Sequence, residues 1–153
     1  MHAAAMKSWG EFAAAEPALA SFGAERLTAH PPAYLATVRE DGTPRVHPVT
    51  PVVTADGLFV FMESTSPKGR DLRERGRYAL HNGVPDTDGS GGEFFVTGAG
   101  SPVDDAAVRA GAVGAASYNP DHRYVLFELK LSEARCNGYG DVDLPDHRRW
   151  RAG

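Results

Sequence analysis

The 153-residue chain has a single cysteine, no long apolar run and no excess of positive charge. Cys136 cannot form a disulfide within the chain, so we expect the reducing environment of the cytoplasm. Nowhere do about 18 apolar residues follow one another, so the sequence predicts no membrane span and no membrane partner. The 16 basic and 20 acidic residues give a net charge of −4. Because binding to a phosphate backbone requires a basic surface, we expect no nucleic acid partner.

Several catalytic signatures are missing as well. The chain contains no G-x-S-x-G elbow, no P-loop, no G-x-G-x-x-G fingerprint and no H-E-x-x-H stretch. The six histidines lack the mutual spacing of metal ligands, so we expect no metal, with a site assembled from His81, His122 and loop aspartates as the alternative. Lys7 and Glu11 interrupt the N-terminal alanines, so we expect this stretch to belong to the mature protein and not to a signal peptide.

The first thirty residues have a helical pattern. Trp9, Phe12, Leu19 and Phe22 recur at helical spacing, and Pro17 can begin a second helix because a first turn needs no amide partner. We predict one broken helix or two short helices in this N-terminal segment, residues 1–30.

From residue 33 onward, short apolar runs alternate with turn residues, which is typical of antiparallel strands joined by hairpins. We predict six strands and two further short helices, with a mobile glycine-rich loop at 83–92 and a C-terminal tail at 137–153. The strands are predicted at 33–38, 44–53, 58–62, 78–81, 93–98 and 124–131, and the helices at 67–75 and 104–116. The first three strands should form a meander. The pattern predicts that residues 1–153 form a single mainly β (α+β) domain, an antiparallel six-stranded barrel with flanking helices.

One candidate site lies at the predicted junction of the third strand and the helix after it, Ser64 to Lys68. Amides at a helix start, flanking hydroxyls and a lysine favour a bound anion such as phosphate, and Ser66 can cap the helix. The alternative is a capped surface helix with solvated charges. The i,i+4 pairs Arg70–Glu74 and Asp71–Arg75 favour that alternative for the later basic residues.

The neighbouring strand supplies a second candidate, the segment Arg45 to Thr50. Arg45 could reach a phosphate or a ring carbonyl, and His47 could face a bound aromatic system. The alternative is a strand with one exposed polar face. Pro48 and Pro51 each remove a ladder donor, so this strand should lie at an edge or contain a bulge.

These segments resemble the flavin-binding split barrel of the pyridoxamine 5′-phosphate oxidase-like proteins over roughly residues 30–100. The resemblance is carried by Ala33 to Val38, Gly42 to Val49, Gly57 to Met62, and Ser66-Pro67-Lys68 followed by Leu72. It implies a six-stranded split β-barrel that forms a homodimer and binds FMN at the subunit interface. In some branches of the family the cofactor is a deazaflavin, coenzyme F-420.

The resemblance also implies which residues hold the cofactor. Lys68 corresponds to the lysine on the FMN phosphate, with Ser66 and Thr65 beside it. The strand that lines the ring and ribityl chain is represented by Arg45, Val46, His47, Pro48, Val49 and Thr50, and the strand end beneath them by Phe61 and Met62. Trp150, in the basic tail, could come from the other subunit, or the tail could be a frayed terminus.

Two departures from the family pattern bear on the activity. Pro67 stands where the vitamin-producing oxidase has an arginine before the lysine, and Glu93 stands where that enzyme tends to have an amide side chain. The first departure argues against a true pyridoxamine phosphate oxidase, and the second leaves the cofactor's identity open.

Three functions are open at this point. The first is an FMN-dependent oxidoreductase that transfers a hydride between flavin N5 and a small-molecule substrate, with Arg45 or His47 stabilising negative charge near N1 and C2 of the ring. The second is a deazaflavin-dependent reductase on the same fold, whose anionic tail would use the basic residues from Lys68 to Arg75. The third is a non-enzymatic module for flavin, haem or another planar ligand. No residue is assigned as the proton-transfer catalyst.

Overall fold

The computed structural model describes residues 5–153, so the first four residues of the predicted helical segment 1–30, including His2, lie outside the described residues. The helices are α1 (Trp9–Ala15), α2 (Pro17–Ala29), α3 (Pro67–Arg75) and α4 (Ala106–Ala115). The strands are β1 (Ala33–Val38), β2 (Pro44–Val49), β3 (Val52–Val53), β4 (Leu58–Met62), β5 (Arg77–His81), β6 (Glu93–Pro102), β7 (Val125–Asn137) and β8 (Arg149–Arg151).

The N-terminal segment forms two short helices, one of the two predicted arrangements. A capping box starts α1, in which the Ser8 hydroxyl accepts from the Glu11 amide at 3.1 Å and the Glu11 carboxylate accepts from the Ser8 amide at 3.0 Å. Pro17 is the first residue of α2, as predicted. Both helices pack their apolar side chains against the sheet. The residues buried in the core are Trp9, Phe12, Leu19 and Leu27.

All strands join one antiparallel sheet in the order β2-β1-β5-β6-β7-β4-β3, with β8 added on the outside of β7. The mainly β (α+β) barrel prediction is confirmed, but the described residues contain eight strands and not six. The predicted strand 44–53 is wrong as one element, because it breaks at Thr50 and Pro51. Its first part pairs with β1 and its last part pairs with β4.

The break between β2 and β3 determines how the sheet closes on itself. Because β2 and β3 stand at opposite ends of the strand order and are separated by only two residues, the sheet must curl until its ends meet. The predicted three-strand meander is therefore not continuous: β4 pairs with β3 and β7, while β1 pairs with β2 and β5. The prediction that the prolines mark an edge or a bulge is confirmed, since both parts of the strand lie at sheet ends.

The interior of the curled sheet is filled by apolar side chains from nearly every strand. All five residues of β4 are buried, as its unbroken apolar run predicts. The largest fully buried side chains are Phe12, Phe94, Phe127, Leu19, Leu27, Leu35, Leu58, Leu72, Leu80, Leu126, Leu129 and Leu131. This core fixes the strand ends from which the candidate site is built.

The two long strands run past their predicted ends, β6 to Pro102 and β7 to Asn137, with a register shift at Gly98. Residues 83–92 connect β5 and β6 without a helix or strand, and Arg26 holds this connection by donating from Nη1 to the Gly91 carbonyl at 2.7 Å. The C-terminal tail is not frayed, since Arg149–Arg151 form β8 against β7. Within residues 5–153, no helix is both long enough and apolar enough to cross a bilayer.

Candidate functional site

A cleft of about 340 Å³ opens where the end of β2, the end of β4 and the start of α3 meet. The curling of the sheet brings these three chain segments together, although β2 is the first strand of the order and β4 is the last but one. Six of the predicted site residues line the cleft: Pro48, Val49, Thr50, Phe61, Met62 and Lys68. Its other walls are Pro32, Glu63, Tyr118 and Tyr124.

Lys68 supplies the positive charge of this cleft. Its side chain is half-buried, and Nζ donates to the Ser66 hydroxyl at 3.1 Å. No carboxylate forms an ion pair with this ammonium within the described part of the chain, and burial lowers the pKa of Lys68. Removing a charge from water without an opposite charge costs free energy that a bound anion would recover.

Ser66 is the residue before the first turn of α3, but its predicted role as a side-chain cap is wrong. The hydroxyl makes no capping bond to the helix and accepts from Lys68 instead. With 7% of its surface exposed, Ser66 is buried, and its hydroxyl holds the Lys68 ammonium in position. Pro67 starts the helix, since its fixed φ suits a first turn and its missing amide is not needed there.

His47 and Arg45 lie beside Lys68 on the inner face of β2. Their partners across the strand pair are the buried residues Leu35 and Thr37, so both side chains start from the inner face of this end strand, where Arg45 is half-buried and His47 remains exposed. The pKa of His47 is lowered, first by burial and then by the charges of Lys68 and Arg45. The three basic side chains therefore share one electrostatic environment at the cleft.

A buried carboxylate, Asp71, organises the inner side of this basic cluster. It accepts from the Arg45 Nε at 2.9 Å, from the Thr37 hydroxyl at 2.7 Å and from Arg75 at 3.1 Å. Only 3% of its surface is exposed. Burial alone would raise the pKa of Asp71, but the hydrogen bonds from Thr37, Arg45 and Arg75 together lower it. Asp71 thus joins α3, which carries Lys68, to β1 and β2.

Sequence reasoning assigned Asp71 only a pair with Arg75 on a solvated helix surface. That pair is present, but the residue points inward and neutralises Arg45 as well. The predicted Arg70–Glu74 pair is not formed, because Glu74 pairs with Arg75 at 3.1 Å. The signal in the sequence was the position of Asp71 next to Leu72, on the face of α3 that the structure buries.

The two tyrosines were also missed, because they belong to the connection between α4 and β7 and nothing in the sequence relates that connection to Lys68. Tyr118 and Tyr124 give the cleft an aromatic wall. The pKa of Tyr118 is raised, first by burial and then by its neighbour Tyr124. Arg123 between them donates to Glu63 at 2.7 Å, which ties the connection to the end of β4.

Six of the twelve predicted residues do not line the cleft. Arg45, His47 and Ser66 lie beside it, as described above, and the other three lie away from it. Val46 lies on the outer face of β2 and is 65% exposed, and Thr65 is exposed in the turn before α3. Trp150 packs against Phe12 of its own chain at a tilt of 46°, with ring centroids 5.0 Å apart. It is half-buried and covers the core of its own chain.

The alternative metal site is not formed. Among residues 5–153, no three histidine, cysteine, aspartate or glutamate side chains lie close enough together to hold a metal ion. The Nδ1 of His81 lies 2.7 Å from the Asn82 carbonyl, whereas His122 is fully exposed beside Asp121.

Similar structures share the fold at low sequence identity. A heme-binding protein from Mycobacterium smegmatis is 20% identical with a TM-score of 0.61, covering 81% of this chain and 57% of that protein. The heme storage protein HutZ from Vibrio cholerae is 19% identical with a TM-score of 0.59, covering 82% of this chain and 96% of that protein. A NimC/NimA family protein from Clostridium acetobutylicum is 19% identical with a TM-score of 0.61, covering 75% and 84%.

The chain thus spans little more than half the length of the M. smegmatis protein. No curated protein matches the sequence significantly. The family model of pyridoxamine 5′-phosphate oxidase matches residues 23–137, a range that contains strands β1 to β7, the Lys68 cleft and Asp71. With that match, and with an antiparallel sheet closed between β2 and β3, the chain belongs to the pyridoxamine 5′-phosphate oxidase-like split-barrel family.

Proposed function

We propose that the protein is an FMN-dependent oxidoreductase that holds the cofactor in the Lys68 cleft and acts on a small-molecule substrate. The observation that carries this proposal is the half-buried Lys68 ammonium, which has a hydroxyl and no carboxylate as partner among the described residues. A phosphate monoester supplies the missing negative charge, and FMN is the flavin that ends in one.

The residues of the cleft fit such a ligand. Lys68 and Ser66 would hold the phosphate, and the chain from Pro48 to Thr50 would face the ribityl group and the ring, with Met62 beneath them. When bound, FMN supplies the redox chemistry by exchanging a hydride at N5 with a nicotinamide reductant and with the substrate, whose accompanying proton comes from water.

The protein's part in this reaction is orientation and charge. Because the pKa of His47 is lowered, this imidazole is neutral near pH 7, and Arg45 is the charged group on the inner face of β2. Asp71 holds the Arg45 Nε in place, so the terminal guanidinium nitrogens can donate to the ring without a search through rotamers. Tyr118 and Tyr124 would exclude water from one side of the ring.

We infer FMN and not the deazaflavin, because two of the four basic residues from Lys68 to Arg75, which a longer anionic tail would need, already have partners within the chain. Arg75 donates to Asp71 and to the Val38 carbonyl, and Arg73 lies over the Phe127 ring. Of the four basic residues from Lys68 to Arg75, Lys68 lines the cleft, whereas Arg70 is exposed and does not belong to the lining.

Haem is the second candidate, since two of the similar structures belong to a heme-binding and a heme storage protein. Haem iron would be bound by a side chain such as histidine. Within residues 5–153, the lining of the cleft contains no histidine, and His47 stands beside it. Titration with hemin, next to FMN, separates the two ligands by their visible spectra.

We further propose a homodimer in which the partner completes the cofactor site. The outer face of β1, β2, β5 and β6 carries an apolar groove of about 380 Å³ beside Tyr34, Val46 and Phe95, and Tyr34 is 47% exposed. Exposed apolar surface of this kind marks interaction sites. Pro48 lines the cleft and shares the outer face of β2 with Val46, so a partner on this face lies next to the cofactor cleft.

The proposed function is tested by titrating the purified chain with FMN and following the quenching of flavin fluorescence. We expect saturable binding of one FMN per chain, followed by bleaching of the flavin absorbance when a reduced nicotinamide is added without oxygen. A chain that binds no FMN overturns the cofactor assignment. A chain that binds FMN but is reduced by neither nicotinamide supports the non-enzymatic module instead.

A further inference from the structure

A second and larger depression, the α2 groove, adjoins the cofactor cleft. It has a volume of about 670 Å³ and runs between helix α2 and the segment Thr50–Ala55, with the end of α4 closing it. Thr50 lines both depressions. Pro31 and Ser117 line the α2 groove, and the residues that follow them in sequence, Pro32 and Tyr118, line the cleft. The α2 groove and the cofactor cleft are therefore direct neighbours, because residues 31–32, Thr50 and residues 117–118 form the boundary between them.

The lining of the α2 groove carries almost no charge. Among residues 5–153, Glu25 is the only ionisable side chain in its lining, and that carboxylate is already paired with Arg26. The remaining lining consists of alanine, proline, leucine, valine, tryptophan, and serine or threonine. No lysine, arginine or histidine of the described part of the chain lines this space, in contrast to the adjoining cleft with Lys68.

The polar groups of the groove are hydroxyls. Those of Thr28 and Thr54 are already bonded to backbone atoms at the Ala24 carbonyl and the Gly57 amide. Ser21, Thr50 and Ser117 supply the other hydroxyls, which can donate to or accept from an uncharged ligand. A phosphate or carboxylate would lose its hydration here without meeting a cation, which costs free energy.

We propose that the α2 groove binds the substrate of the flavin site, and that this substrate is an uncharged, largely apolar small molecule. The inference rests on the proposed function, because it is the adjoining cofactor cleft that makes the groove a substrate pocket. The volume lies within the range of small-molecule sites, roughly 300–1,000 Å³. By the same charge argument, the groove does not take a phosphorylated substrate such as the one for which the family is named.

The experiment measures binding of prodan, an uncharged fluorescent naphthalene, to the full chain with and without saturating FMN. Ser21→Phe and Thr28→Phe place a ring on exposed positions of the groove wall, and Ala18→Phe places the same ring on an exposed position of α2 outside the groove. We expect Ser21→Phe and Thr28→Phe to weaken prodan binding by about tenfold or more, because their rings occupy part of the groove. The Ala18→Phe control should change prodan binding by less than about twofold, because its ring lies outside the groove.

Charge selectivity is measured by displacing bound prodan with acetylnaphthalene, which is neutral, and with naphthalene sulfonate, which is anionic. The neutral compound should displace prodan at about tenfold lower concentration than the sulfonate, since the groove has no cation. Equal displacement, or prodan binding that ignores both groove variants, overturns the inference.

The FMN arm separates this inference from the proposed function. Prodan affinity that is unchanged by saturating FMN agrees with two adjoining sites. If FMN displaces prodan, the groove belongs to the cofactor site and the inference fails, while the flavin assignment stands. If FMN does not bind while prodan responds to the groove variants, the groove is a ligand site and the proposed function, with the substrate role, fails.

Discussion

At the scale of single residues, the charge of Lys68 is the property that decides what the cleft can bind. Replacing Lys68 by alanine should weaken FMN binding by about 1.5–3 kcal/mol, the usual contribution of a hydrogen bond to a charged group. Fluorescence titration of FMN measures the change. Arg70→Ala is the matched control, because Arg70 lies two residues further along α3 and is exposed. Equal affinities for the wild type and Lys68→Ala would make Lys68 an ordinary helix residue.

His47 reports on the same charge without any ligand. Its pKa lies below the ordinary 6.5 because of burial, Lys68 and Arg45, so removing the Lys68 charge should move the pKa upward. Burial and Arg45 remain, so the pKa should still not exceed its ordinary value. NMR titration of the imidazole protons in the wild type and in Lys68→Ala measures this shift. A downward shift, or none, contradicts the proximity of the two side chains.

Asp71 links helix α3 to strands β1 and β2, so its charge should matter for stability. Asp71→Asn leaves Arg45 and Arg75 without their carboxylate and should lower the free energy of unfolding by about 2–3 kcal/mol at neutral pH, with both arginines partly solvated. The folded-state pKa lies below the ordinary 3.8. The wild-type advantage should therefore be complete above that value and disappear as the pH falls through the folded-state pKa.

Urea denaturation at several pH values measures this difference. An advantage of the wild type that grows on acidification would contradict the assignment. Asp71→Asn should also weaken FMN binding at neutral pH, because Arg45 and the start of α3 lose their common anchor.

At the scale of elements, glycine substitutions distinguish the tightly packed strands β6 and β7 from the exposed helix α4. A Cβ on Gly98 would lie 1.9 Å from the Lys130 carbonyl oxygen, where β6 shifts register against β7. A Cβ on Gly111, in the middle of α4, would meet nothing within 4 Å. Gly98→Ala should destabilise the protein by more than about 3 kcal/mol, and Gly111→Ala should stabilise it by about 0.5–1 kcal/mol.

Thermal unfolding followed by circular dichroism tests both substitutions. A lower melting temperature for Gly111→Ala would mean that α4 packs against something that the single chain does not contain. A Gly98→Ala protein as stable as the wild type would contradict the register of β6 and β7.

Elements defined by local signals could be predicted from the sequence. The periodic apolar residues and Pro17 predicted one broken helix or two short helices at the N-terminal end, and the structure has two. The turn residues after β1 and before β4 predicted the strand positions there. The break at Thr50 could not be predicted, because it depends on which distant strands pair with β2 and β3. Strand β8 was missed for the same reason, since its three residues become a strand only against β7.

The site residues that are close together in sequence could be predicted, whereas those brought to the cleft by tertiary contacts could not. Ser66, Pro67 and Lys68 form a local motif, and the structure brings Lys68 together with the end of β2 as expected from the resemblance. Asp71 and the tyrosines of the α4–β7 connection reach the cleft through tertiary contacts. A single sequence carries no record of such contacts, apart from the inward face of α3.

At the scale of the whole molecule, the cleft is an open depression on one curled sheet. A volume of about 340 Å³ is at the low end for a site that takes a flavin, and the exposed Val46 and Tyr34 lie on the neighbouring face. A second copy on that face would enlarge and cover the site. Sedimentation velocity of the FMN-loaded protein, recorded at the flavin's visible band, measures cofactor binding and assembly at once.

We predict that the flavin absorbance sediments with the mass of a dimer in the wild type. It should stay behind as free FMN in Lys68→Ala at a concentration between the two dissociation constants. Flavin that sediments with a monomer would contradict the shared site, and flavin that never sediments with the wild-type protein would contradict the assignment of the Lys68 cleft as a cofactor site.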